Sequence, residues 1–134
     1  MKTTISLSEK DLKAGTFSLH VTLANDEESV QSLPIERLIA DAELTALELR
    51  DKDDARLQPI EYKLVNPAHA APNHLLSPGE SVQFELKGKL EEMLPEVLAL
   101  IFPRATYRLS RGSRYSLALR WGGVVETPQI GFVA

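Results

Sequence analysis

Four apolar residues in strict alternation, Phe17, Leu19, Val21 and Leu23, are separated by Ser18, His20 and Thr22. A period of two sends every second side chain to the same side of an extended strand, giving this segment one oily face and one wet face. An oily face must be covered, and antiparallel strands with one buried side do so by packing on a second sheet. The rhythm recurs at Thr3-Ile5-Leu7, at Thr45-Leu47-Leu49, in Ser81 to Leu86, at Tyr115-Leu117-Leu119-Trp121 and at Ile130-Phe132. Turn signals lie between these segments: Asn25 to Ser29, Asp51-Lys52-Asp53-Asp54, Ser77-Pro78-Gly79-Glu80 and Gly122-Gly123. Arg56 to Val65 reads as a returning strand broken by Pro59, and Asn66 to Pro78 as a proline-rich loop. An antiparallel β-sandwich of about seven to nine strands follows, with a closed barrel as the alternative.

Two segments depart from the rhythm. Leu90, Met93, Leu94, Val97, Leu98 and Ile101 fall at helical spacing with Glu91, Glu92 and Glu96 outside the stripe, and Pro95 sits in their middle. A kinked helical insertion is therefore expected over 87–108, either a lid on one open end of the sandwich or a partner-binding helix. Ile35, Leu38, Ile39 and Ala42 show the same spacing after Ser32 and Pro34, and predict a shorter helix.

The chain has 134 residues and no cysteine, which fits one domain over 1–134 and removes disulfides and thiolate chemistry. Its net charge of −4 argues against a general nucleic-acid binder. The stretch after Met1-Lys2 lacks the apolar core of a signal peptide, and the longest apolar run, Val97 to Phe102, is too short to span a bilayer. A cytoplasmic location away from membranes is the expectation, or an exported one if a leader was removed.

No constellation for chemistry stands out. His69 and His74 lie in the proline-rich loop with no acidic residue from Asn66 through Gly79, and His20 lies on the polar face of a strand. Serines are plentiful, but there is no Gly-x-Ser-x-Gly elbow and no phosphate-binding glycine loop. Expected, then, are no catalytic residues, no metal and no cofactor. The charge distribution is more informative. Residues 1–99 hold ten basic and eighteen acidic side chains, a net −8, whereas residues 100–134 hold five arginines and one glutamate, a net +4. Arg114 and Arg120 fall opposite Tyr115 and Trp121 in the alternation, so they should share an exposed sheet face. They provide either a docking surface for an acidic partner or charge balance for glutamate-rich neighbouring strands.

The order of segments resembles bacterial immunoglobulin-like domains. It is carried by His20-Val21-Thr22-Leu23-Ala24-Asn25, by Leu47 to Asp51, by Leu76-Ser77-Pro78-Gly79-Glu80-Ser81, by Gly112-x-x-Tyr115 and by Ile130-Gly131-Phe132-Val133. The place of Tyr115 is similar to the tyrosine corner of such sandwiches, whose hydroxyl ties back to nearby backbone. The layout also resembles the intracellular proteinase inhibitor family of bacteria. That resemblance implies an Ig-like sandwich that binds a proteinase through its loops, here the loop 66–78. The expected function is a non-enzymatic protein-binding module, with Asn66, His69, His74, Arg108, Arg111, Arg114 and Arg120 as candidate contacts to another protein. A monomer or weak homodimer is expected. The alternatives are a self-associating structural subunit of a bacterial assembly and an enzyme using His69 or His74.

Overall fold

In a computed structural model, which describes residues 1–63, 73–122 and 125–134, the alternating segments become strands of antiparallel sheets. The first half of the chain holds β1 (Lys2–Leu7), α1 (Glu9–Lys13), β2 (Thr16–Ala24), β3 (Gln31–Leu33), α2 (Ile35–Thr45), β4 (Leu47–Arg50) and β5 (Glu61–Tyr62). The second half holds β6 (His74–Leu76), β7 (Ser81–Leu94), β8 (Val97–Ile101), β9 (Ala105–Ser110), β10 (Arg114–Trp121), β11 (Val125–Glu126) and β12 (Ile130–Val133). Of these twelve strands among the described residues, eight are four residues or longer.

One sheet has six strands in the order β1-β2-β7-β8-β9-β5. The other has four, with β10 pairing with β4, β11 and β12, and β3 and β6 form a separate pair. The inward residues of β2, all fully buried, meet Leu86, Leu100, Tyr107 and Leu109 of their own sheet. Across the gap the same core takes in Leu47, Leu49, Leu117, Leu119 and Phe132 of the four-stranded sheet. Rings join the layers: Phe17 stands edge-on to Phe132 at 5.7 Å and to Phe102 at 5.5 Å between centroids. Ile35, Leu38 and Ala42 bring α2 onto this core, three of the four residues of its predicted stripe; the fourth, Ile39, is exposed.

The register is set locally. Arg120 faces Glu126 but Leu117 faces Ile130, so one extra residue enters between β11 and β12. Thr127 fills the irregularity: its N–H donates to Leu119 O at 3.0 Å and its Oγ1 accepts the Leu119 N–H at 2.9 Å. Pro128, which has no N–H to offer a ladder, is thereby tolerated next to it. At the corner between β9 and β10, the Tyr115 hydroxyl accepts the Ser110 N–H at 2.7 Å.

The helical insertion expected over 87–108 is absent; that stretch is the end of β7, all of β8 and the start of β9. Leu86, Gly88 and Leu90 continue the inward row of β7, and Leu98 and Leu100 form that of β8. Leu94 pairs with Val97, leaving Pro95 and Glu96 as the turn between them. Proline suits a turn because its φ is preset there, whereas mid-helix it forfeits a hydrogen bond. The inward row keeps its parity across the turn; the helical spacing comes from apolar residues off that row, the exposed Met93 and Leu94 and the outward Val97 and Ile101. Gly88 marks how closely the sheet packs here: a Cβ at that position would meet the Phe102 ring at 3.0 Å. Helix α1 has no apolar stripe to announce it. Ser8 caps it by accepting the Asp11 N–H at 3.3 Å, and Gly15, at φ +85°, turns the chain back into β2.

Candidate functional site

The five C-terminal arginines do not gather into one patch. Arg104 precedes β9, where its backbone N–H donates to Glu43 Oε1 at 3.1 Å. Arg108 stands on the outer face of β9, beyond Ala99 of β8 and Glu91 of β7. Arg111 serves the fold: its Nε donates to Pro95 O at 2.9 Å and its Nη2 lies 3.3 Å from Glu92, riveting the β7–β8 hairpin to the β9–β10 corner. Arg114 and Arg120 occupy the outward positions of β10, both exposed, opposite the buried Tyr115, Leu117 and Leu119. His74 is exposed in β6, opposite Leu33. Asn66 and His69, and most of the loop 66–78, lie outside the described residues.

Around Arg120 the fold assembles a cluster. Leu47 and Leu49 of β4 face the core, so Glu48 and Arg50 face out, and register sets Ser116 opposite Arg50 and Ala118 opposite Glu48. The turn 51–55 then brings Arg56 alongside. Asp51 Oδ1 accepts the N–H groups of Asp53 and Ala55 at 2.9 and 3.0 Å, and the backbones of Arg50 and Arg56 pair antiparallel. Three guanidiniums thus surround one carboxylate: Arg120 Nε at 3.6 Å, Arg50 Nη2 at 3.8 Å and Arg56 Nη1 at 3.9 Å from Glu48 oxygens. Glu48 is 16% exposed, against 31% for Arg50, 47% for Arg56 and 54% for Arg120. Arg50 also donates through Nη1 to Asp54 O at 2.9 Å and has its Nε 3.9 Å from Asp54 Oδ1, a second carboxylate at the edge of the cluster, and Glu126 faces Arg120 across the ladder.

The donor count is lopsided. Each guanidinium brings about five N–H donors, and a carboxylate accepts about four hydrogen bonds in all. At 3.6–3.9 Å these are loose ion pairs, which leave the forks available to a second acceptor. Farther along β10 on the same face, Arg114 has no ion pair among the described residues. The arginine pair on β10 is the part that the sequence reveals; Arg50 and Arg56 come from a turn whose path no periodicity announces. Their one signal was the alternation of Glu48 and Arg50 against Leu47 and Leu49.

A second grouping lies on the outer face of the six-stranded sheet. Ser18 Oγ donates to the Glu85 carboxylate and stands 3.4 Å from His20 Nε2. These are the residue types of a hydrolytic triad in a different connectivity. The carboxylate accepts a hydrogen bond from the hydroxyl instead of orienting the imidazole, and Ser18 is itself only 3% exposed. It is a hydrogen-bonded row across strands. Among the described residues, no three His, Asp or Glu side chains converge to hold a metal ion, and no helix is long and apolar enough to cross a membrane. Burial raises the Tyr107 hydroxyl above its usual value, and that hydroxyl donates to Glu43 O at 2.9 Å, fastening α2 to β9. Hydrogen bonds from Ser77 hold the Glu80 carboxyl below its usual range in the turn before β7.

No family model matches this sequence, and no curated protein matches it.

Proposed function

We propose that this chain is a protein-binding module that docks an acidic partner on the outer face of its four-stranded sheet. The observation that carries the proposal is the convergence of Arg50, Arg56 and Arg120 on the carboxylate of Glu48, with Arg114, which has no ion pair among the described residues, on the same face. The four arginines of this face stand with Glu48, Asp54 and Glu126, so what favours an acidic partner is the local convergence of guanidiniums more than the net charge of the face. Arginine suits that task, because its planar fork binds carboxylates in pairs of hydrogen bonds. Ser116, Ala118 and Gly131 between the arginines keep the floor of the face low, so a partner's backbone can approach. We further propose an immunoglobulin-like arrangement of the two sheets, supported by the bond between Tyr115 Oη and the Ser110 N–H.

The test is titration with a short poly-glutamate peptide, followed by calorimetry and backbone amide shifts. Binding should weaken with salt and move amide signals of β4 and β10. Shifts confined to β7–β9, or equal affinity for a poly-lysine peptide, would overturn the proposal. Light scattering on the same samples reads the self-associating alternative: a monomer is expected, and a concentration-dependent dimer blocking the β10 shifts would replace the partner-docking role.

A further inference from the structure

We infer that Glu48 is an internal stand-in for the partner's carboxylate, occupying the three-arginine cluster until an acidic side chain of the partner displaces it. The inference rests on the docking face proposed above and assigns the ligand group and its control. The fit of the cluster to a carboxylate is visible in Glu48 itself, which all three guanidiniums approach from different strands and turns. None of the three is committed to it at hydrogen-bonding distance, so the rearrangement on binding is small: Glu48 swings outward and the forks close on the newcomer. The cluster is partly exposed, which lets a partner reach it, and Glu48 is the least exposed of its members, which places it at the centre of the cluster. Arg114, some 20 Å along β10 from Arg120 at the strand rise, would take a second acidic group. An extended acidic segment with spaced carboxylates is therefore the matching ligand, more so than a compact polyanion.

The experiment compares the wild-type chain with E48Q, E48D, R120A and E91Q, using the poly-glutamate peptide and, in a separate arm, tripolyphosphate. E48Q removes the internal competitor and should bind the peptide roughly two- to fivefold tighter, the range that one exposed ion pair spans. E48D keeps the charge on a shorter arm and should fall between. E91Q deletes the same charge from the outer face of the other sheet and should change nothing; an equal gain there would reduce the effect to net charge and overturn the inference. If R120A weakens binding while E48Q does not tighten it, the docking face stands and the stand-in role fails. If R120A has no effect either, both fall. A gain by E48Q for tripolyphosphate alone would assign the cluster to phosphate and reject the carboxylate. Should E48Q fold poorly, the wild-type protein still decides: the Nε–H resonances of Arg56 and Arg120 must move as peptide is added, and their constancy at saturation would sink the inference.

Discussion

The outer faces of the two sheets solve the problem of meeting water differently. On the six-stranded sheet, ladder rows such as Thr4-Thr22-Gln83 and Ser6-His20-Glu85 present small polar groups side by side, and β7 alternates Glu85, Lys87, Lys89 and Glu91, two of each sign. Ser18, Glu85 and His20 spend their polar atoms on each other. On the four-stranded sheet, donors outnumber acceptors, and the one central carboxylate is shared among three cations. Lys87, Lys89 and Arg108 on the first face, like Arg114 on the second, form no ion pair among the described residues; what sets the second face apart is three guanidiniums converging on one carboxylate. Net charge would not reveal this, since both faces mix signs; the difference lies in how the groups are paired.

Four changes probe that contrast, the strongest at the core that both faces share. Phe17→Ala removes the ring joining the sheets and should cost about 3–5 kcal/mol in urea unfolding. Because one core carries both faces, they should lose structure together in one transition; two separate transitions would mean the sheets are independent. The double reversal Arg114→Glu with Arg120→Glu should cut poly-glutamate affinity about tenfold, roughly 1.4 kcal/mol. Lys87→Glu with Lys89→Glu on the other face should leave affinity as it was, and an equal loss would erase the distinction. Tyr115→Phe deletes the hydroxyl that accepts the Ser110 N–H and should cost about 1 kcal/mol without moving the affinity.

The smallest effect is alkaline. Tyr107 titrates higher when folded than when unfolded, so the unfolded chain gives up its proton first as pH rises past the ordinary value of 10.0. The tyrosine's contribution is whole below that pH and is lost on the way up through the raised native value. Tyr107→Phe should flatten this slope in pH-dependent unfolding, and a slope that persists would assign it to another group.

How much of this was legible beforehand depended on whether the information was periodic. The inward rows of β2 and β10 could be read directly, because burial on one side of a strand is written into the alternation, although Ser18 and Ala118 of the outward rows are buried as well. The hairpin of β7 and β8 could not, because apolar Met93 and Leu94 are exposed there, off the inward row, and Pro95 reads equally as a helix kink. The arginines divided along the same line. Arg114 and Arg120 sit on a periodic strand, and their shared outward face followed. Arg111 looked like another surface cation, but its partner is a carbonyl sixteen residues away in sequence, at Pro95. The meeting of Arg50, Arg56 and Arg120 depends on a turn and on pairing between distant strands, and neither leaves a mark in the order of residues.

The absence of a side chain at Gly88 has a consequence for how this chain can vary. The Phe102 ring occupies the space a methyl group would need there, and that same ring touches Phe17 and Tyr107. Positions 88 and 102 are therefore mortise and tenon: enlarging the first demands shrinking the second, and either alteration alone leaves a clash or a void.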